Sequence, residues 1–174
     1  CQLPPPKKNQ TSVQHINQSN IQLLFDANTR PYVYYVITEP VHSTVPLVVD
    51  PTSTLCISST GSLDLSGIHP SKIKLSASDI YNCGTIKLGN ISAAGTASYA
   101  AGIGAFTPIT LTNNGTITFG NISEGGFGVV TAESTLTLTN NGTITFGNIS
   151  GSGGQDQSFG FLAGSLYVKQ KGRI

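Results

Sequence analysis

Charge is scarce in this chain. Asp, Glu, Lys and Arg make up 10% of its residues, against roughly 25% in ordinary proteins, and Met and Trp are absent. With a net charge of +1 there is no clustered basic face of the kind nucleic acid requires. Lys7-Lys8 and Lys169-Gln170-Lys171-Gly172-Arg173 are the two basic groupings, and both read as solvated tails. No apolar run is long enough to make a transmembrane segment. His15, His42 and His69 are scattered and sit in no metal-ligand spacing. Gly151 to Asp156 is a single poor likeness of a calcium-binding glycine repeat. Neither a metal nor another cofactor is expected.

Ser, Thr, Asn and Gly fill the place of the missing charge, and they are arranged in a repeat. Residues 136–150, LTLTNNGTITFGNIS, copy residues 109–123, ITLTNNGTITFGNIS, at an offset of 27 with one change. Self-similarity of this length means a stacked structural unit. Leu136 and Leu138 alternate with threonines, as do Ile144 and Phe146, which gives two short strands with one apolar row each. Asn140-Asn141-Gly142 between them reads as a tight turn favouring positive φ.

The glycine traces the unit through the chain at Gly61, Gly84, Gly115, Gly142 and Gly172, with spacings of 23, 31, 27 and 30. Ile57, Ile80, Leu111, Leu138 and Val168 lie four places before it, and Leu65, Leu88, Phe119 and Phe146 four places after it. A third apolar element recurs as Ala101-Gly102-Ile103, Phe127-Gly128-Val129 and Phe159-Gly160-Phe161. Three short strands per coil predict an all-β fold, a parallel β-helix (β-solenoid) of about four to five coils over residues 55–174. A leucine-rich horseshoe would need helical stretches or an asparagine ladder at fixed spacing, and neither is apparent in the sequence. Residues 1–20 are polar and Pro-led and read as a flexible N-terminal arm. Residues 21–54 hold the β-prone run Tyr32 to Thr38 but do not match the repeat, and are expected to be a β-rich cap or a subunit-exchange segment.

Candidate chemistry is sparse. A catalytic pair such as Asp64 with Asp79 would serve a polysaccharide-acting enzyme, but Lys87, Thr118 and Thr145 follow Asp64 in the repeat, so no acidic stripe continues. No catalytic site is expected. Cys1-Gln2 before Leu3-Pro4-Pro5-Pro6 resembles the start of a mature bacterial lipoprotein, which makes Cys1 a candidate for lipidation and outer-membrane anchoring. A disulfide between Cys56 and Cys83 would leave Cys1 free for this. Asn9, Asn17, Asn90, Asn114, Asn121, Asn141 and Asn148 each begin an Asn-x-Ser/Thr sequon and are candidate N-glycosylation sites, although turn geometry alone explains the five in the repeat.

FGVVTAESTLTLTNNGTITFGNIS resembles the passenger-domain repeats of bacterial autotransporter and filamentous-haemagglutinin-type surface adhesins, a likeness that covers residues 55–174. It implies a secreted, surface-displayed β-helix used for adhesion or assembly. The expected function is an extracellular structural or adhesive protein whose partner is itself, head to tail through strand edges into filaments or layers, or a ligand on a host or cell surface. A polysaccharide-acting β-helix enzyme and a lipoprotein component of an envelope complex are the alternatives.

Overall fold

The structure is a computed structural model, which describes residues 1–95, 99–151 and 157–174. A first strand, β1 (Ser12–Ile16), is followed by two 3-10 turns, Ile21–Leu24 and Asp26–Asn28. Five three-strand coils come next: β2 (Val33–Ile37), β3 (Pro40–His42) and β4 (Leu47–Val48); β5 (Thr54–Ile57), β6 (Ser62–Asp64) and β7 (Ile73–Ser76); β8 (Asp79–Asn82), β9 (Thr85–Ser92) and β10 (Ala100–Ala105); β11 (Ile109–Asn113), β12 (Thr116–Ser123) and β13 (Gly126–Thr131); β14 (Thr135–Asn140), β15 (Thr143–Thr145) and β16 (Phe159–Leu162). β17 (Ser165–Gln170) opens a further coil.

Corresponding strands pair in parallel to form three sheets. The first runs β1-β2-β5-β8-β11-β14-β17, the second β3-β6-β9-β12-β15 and the third β4-β7-β10-β13-β16. The fold is the expected parallel β-solenoid. Coils stack about 4.8 Å apart, so the core is a row of aliphatic side chains repeated rung by rung. In the third coil Ile80, Ile86, Leu88, Ile91 and Ile103 are all at most 1% exposed. Each contributes roughly 1.5–3 kcal/mol when fully buried.

The segment 21–54, expected as a cap or exchange element, contains a complete coil of its own. Tyr35 pairs with Leu55 and Val41 with Leu63, and Leu47 pairs with Leu75. It escapes the repeat pattern because it lacks the glycine: Thr38-Glu39 makes its first turn and Pro46 precedes its third strand. Residues 1–20 are likewise not a loose arm. β1 is the first strand of the first sheet, paired with β2 from Ser12↔Val33 to Ile16↔Ile37.

Directly after the repeat glycine, the expected register is observed: Leu63, Ile86, Ile117 and Ile144 stack in line; four places after it the register slips at a bulge, where Phe119 pairs with Gly89 and not with the expected Leu88, before Ile122 returns to Ile91. Before the glycine, the second coil is shifted by two. Leu55, not Ile57, faces Ile80, and Ile57 faces Asn82, because Ser58-Ser59-Thr60 makes a turn two residues longer than the single Cys83.

That shift uncovers an internal asparagine ladder, contrary to the sequence reading. Asn82, Asn113 and Asn140 are fully buried at the corner between the first and second sheets. Asn82 Nδ2 donates to Asn113 Oδ1 at 2.8 Å, and Asn113 Nδ2 to Asn140 Oδ1 at 2.7 Å. Each amide also donates to a turn carbonyl of the next coil, Thr116 or Thr143, at 3.1 Å. The glycine two places on is required by close approach, since a Cβ at Gly142 would run into the carbonyl of Gly115 one coil below. It has no positive φ, which the structure reserves for Gly89, Gly95, Gly125, Tyr32, Glu124 and Glu133 among the described residues.

The third sheet shows size matching. A Cβ at Gly102 would lie 2.7 Å from the Phe119 ring, and one at Gly128 would lie 2.7 Å from Phe146. These two rings stack with centroids 4.7 Å apart, and Phe161 meets Phe146 edge-on at 5.3 Å. Opposite Gly102, the preceding coil has Lys74 over the smaller Leu88. The Lys74 side chain is fully buried and its Nζ donates to the Leu88 carbonyl. Burial pulls its pKa from 10.5 to about 8, against a weaker pull upward from the Asp64 carboxylate.

Candidate functional site

Two outer faces carry more than solvated Thr and Asn. On the first sheet, Tyr34 and Val36 of β2 and Cys56 of β5 form a buried outward-facing cluster, packed by Tyr81 and by Leu3 of the N-terminal segment. The first eleven residues cross this face as a strap. The Tyr34 hydroxyl donates to the Pro4 carbonyl. Lys7 pairs with Asp79 at 2.7 Å, and Asp79 accepts from the Thr54 hydroxyl at 2.6 Å. Gln10 Nε2 donates to that same hydroxyl at 2.7 Å. A disulfide joins Cys1 to Cys83 with the Cα atoms 5.8 Å apart.

This overturns two sequence expectations. The disulfide is not Cys56–Cys83, because the register partner of Cys56 is Tyr81, which puts Cys83 two residues further along and a coil away. Nor is Cys1 a free thiol for a lipid thioether, since its Sγ is in the disulfide. Cys56 is the free cysteine and is buried. Burial pushes its thiol up to about 11, the hydrogen bond with Tyr34 opposing and the Asp79 charge adding to the rise. Tyr34 is raised as well, chiefly by burial and then by Cys56.

The outer face of the third sheet is apolar. Ile73, Ala101, Phe127 and Phe159 stack in register along it. The Phe127 and Phe159 rings lie 6.2 Å apart and nearly parallel, and Tyr99 tilts toward Phe127 at 6.0 Å. Beside this row a groove of about 740 Å³ runs along the solenoid axis. Its floor takes one register position from each coil: Val48, Ser76, Gly104, Val130 and Leu162. Tyr99 and Phe106 stand at its rim, 59% and 78% exposed. Among the described residues Glu133 is the one carboxylate on its wall, held at φ 53°. The sequence reading missed this face because Phe127-Gly128-Val129-Val130 is apolar on both sides and reads simply as core.

The other candidates fall apart from one another. Asp64 lies on the second sheet between His42 and Lys87, its carboxyl held below the usual range chiefly by the Ser66 hydroxyl. Asp79 lies on the first sheet under the strap, so the two do not form a pair. Among the described residues no three His, Cys, Asp or Glu side chains are grouped as metal ligands; of the glycine-rich likeness Gly151 to Asp156, residues 152–156 lie outside the described residues. Among the described residues no helix is long and apolar enough to cross a membrane.

The sequon asparagines reach the surface. Asn9, Asn90, Asn121, Asn141 and Asn148 are exposed, and Asn17 and Asn114 half-buried. Several are engaged in the stack: the Oδ1 of Asn90 accepts from the Asn121 backbone N–H at 2.9 Å, and that of Asn121 from Asn148 at 2.9 Å. Asn141 Nδ2 donates to Asn114 Oδ1 at 2.8 Å.

No curated protein and no solved structure matches the chain. Residues 9–168 match the family described as BigA third pectate lyase-like domain, a span that takes in the first coil and its β1 strand as well as the repeats. The chain belongs to that family, a β-helix-type domain of surface autotransporter- and adhesin-like proteins.

Proposed function

We propose that the chain is a rigid section of a surface-exposed protein that serves adhesion, and that the apolar face of the third sheet with its groove is the contact surface. The observation that carries this is the exposed aromatic rim, Tyr99 and Phe106, above a floor with one residue from every coil. Exposed aromatic side chains standing over an apolar groove are the kind of surface at which proteins hold a partner. The membership in a family of surface proteins supports the setting. The groove suits protein side chains more than a glycan, since its floor is mainly aliphatic and offers few hydroxyls. Hydrolysis of a polysaccharide by paired carboxylates finds only Glu133 among the described groove residues, which favours binding over turnover.

Beads carrying the purified chain, allowed to settle on surfaces coated with extracellular-matrix proteins or with polysaccharides, test the reading. Retention on protein that is lost in a Tyr99→Ser/Phe106→Ser double variant is expected. Equal retention of both chains, or release of sugar ends from the polysaccharide, would refute it. Antibody against the chain is expected to stain intact producing cells without permeabilisation.

A further inference from the structure

The groove beside the third sheet offers a bound chain almost nothing to hydrogen-bond. The strand N–H and C=O groups of that sheet run along the solenoid axis from coil to coil. The turns at its wall bond the same way, the Val49 N–H to the Ser76 carbonyl at 2.8 Å and the Ala132 N–H to that of Ala105 at 3.2 Å. Its hydroxyls are occupied as well. Those of Ser78 and Thr107 are bonded to each other, and that of Thr131 donates to the Ser134 carbonyl at 2.9 Å.

What remains is shape, apolar surface and one charge. Gly104, Ala105, Ala132 and Ala163 put no long side chain into the trough. Its floor runs from Val48 of the first coil to Leu162 of the fifth, four steps of about 4.8 Å or roughly 19 Å in all. Among the described residues that line it there is no Lys, Arg or His. The salt bridge of the described residues is Lys7 with Asp79 on the first sheet, so the Glu133 carboxylate has no cation of its own.

An extended segment laid along this trough leaves its N–H and C=O groups facing apolar side chains, where unpaired backbone groups are costly to bury. A glycan meets the same difficulty with its hydroxyls. An α-helix bonds its backbone internally and presents only side chains. The repeat distances also agree. A helix rises about 5.4 Å per turn, close to the spacing of coils, so side chains at i, i+3 or i+4, i+7 and i+11 meet successive coils. Roughly 13 residues cover the floor. Tyr99 and Phe106, exposed at the third coil, flank such a helix, and Glu133 follows one coil further on.

We propose that the groove holds an amphipathic α-helix of a partner protein. Its aliphatic stripe lies on the floor, and a lysine or arginine about one turn past the aromatic rim meets Glu133. This rests on the groove being the contact surface of the chain.

Fluorescence anisotropy with two synthetic peptides of about 15 residues provides the test. One carries leucines at i, i+3, i+7 and i+11 with a single lysine beside the stripe, and a lactam on its polar face holds it helical, since so short a helix is marginal in water. The other has the same composition with its leucines alternating. The helical peptide is expected to bind at least about tenfold more tightly than the alternating one, and to lose its binding to the Tyr99→Ser/Phe106→Ser variant. Glu133→Lys is expected to weaken it about threefold, and a peptide with glutamate in place of the lysine to recover the loss. Equal binding of the two peptides, no binding of the helical one, its displacement by cellohexaose, or indifference of its binding to either variant would overturn the helix. The contact surface itself falls only if the Tyr99→Ser/Phe106→Ser variant keeps full retention in the bead assay, so the two fail separately.

Discussion

Replacing Asn113 by alanine isolates the interaction that the repeat conserves between coils. The side chain is fully buried, accepts from Asn82 Nδ2 at 2.8 Å, and donates to Asn140 Oδ1 at 2.7 Å and the Thr143 carbonyl at 3.1 Å. Asn82 keeps a second acceptor in Thr116, so its loss is partial, whereas Asn140 Oδ1 loses the donor that faces it. A buried polar group left unpaired costs about 1–3 kcal/mol, and the void left by the amide adds to this. The sum is roughly 2–5 kcal/mol, a large share of the 5–15 kcal/mol typical of a domain. Urea unfolding of the variant reads it as a lower midpoint at unchanged slope. Asn114→Ala, one residue away in the half-buried outer stack, is the control and is expected to cost under about 0.5 kcal/mol. Asn113→Asp adds a pH signature. Its ionised carboxylate faces Asn140 Oδ1 and the Thr143 carbonyl with no N–H to offer, so its folded pKa rises above the unfolded value. The variant is then least impaired below about pH 4 and loses stability as pH rises through the folded pKa. An Asn113→Ala variant no less stable than Asn114→Ala, or an Asn113→Asp variant with flat pH dependence, refutes the ladder.

Lys74 makes the opposite prediction. Its folded pKa of about 8 lies below its ordinary 10.5, so the unfolded chain holds the extra proton between them and stability rises with pH across that window, by roughly 3–4 kcal/mol; Lys74→Met removes the slope in a pH series of urea melts. Gly128→Ala drives a Cβ into the Phe146 ring and the Gly160 carbonyl, and is expected to lower stability by about 1–3 kcal/mol as overpacking does, read by thermal melting. Reduction of Cys1–Cys83, which spans 82 residues of sequence, is expected to cost about 4–5 kcal/mol on the chain-entropy scale. It also frees the end of the strap, so Cys56, inert to iodoacetamide in the oxidised protein, becomes alkylated after mild reduction; equal inertness in both states would contradict the strap's role as its cover.

What was legible in the sequence was the part that repeats. The first residues after each glycine stack as expected, from Leu63 to Ile144, because the apolar period carries the register there, whereas Phe119 slips onto Gly89 at a bulge the period does not show. The residues before each glycine do not stack as expected, because the turn at Ser58 to Thr60 is two residues longer than its counterparts and hides Asn82 opposite Ile57. That misalignment concealed the asparagine ladder, whose members look like ordinary turn residues in Asn113-Asn114-Gly115. The first coil was hidden by its different turn chemistry. The strap was unreadable because it rests on contacts far apart in sequence, Lys7 with Asp79 and Cys1 with Cys83. The apolar outer face was masked by glycines: Gly102 and Gly128 face inward to admit Phe119 and Phe146, which breaks the alternation that would otherwise assign Phe127 and Val130 to the outside.

Residue-resolved amide exchange on the intact chain tests the stacking of coils. The N–H of Thr110 on the first sheet donates to the Ser78 carbonyl, that of Ile122 on the second to Asn148, and that of Ala101 on the third to Lys72, each bond running between neighbouring coils. Strong protection at all three positions is the predicted result. Near-random-coil exchange at any one of them would contradict a parallel solenoid of stacked coils.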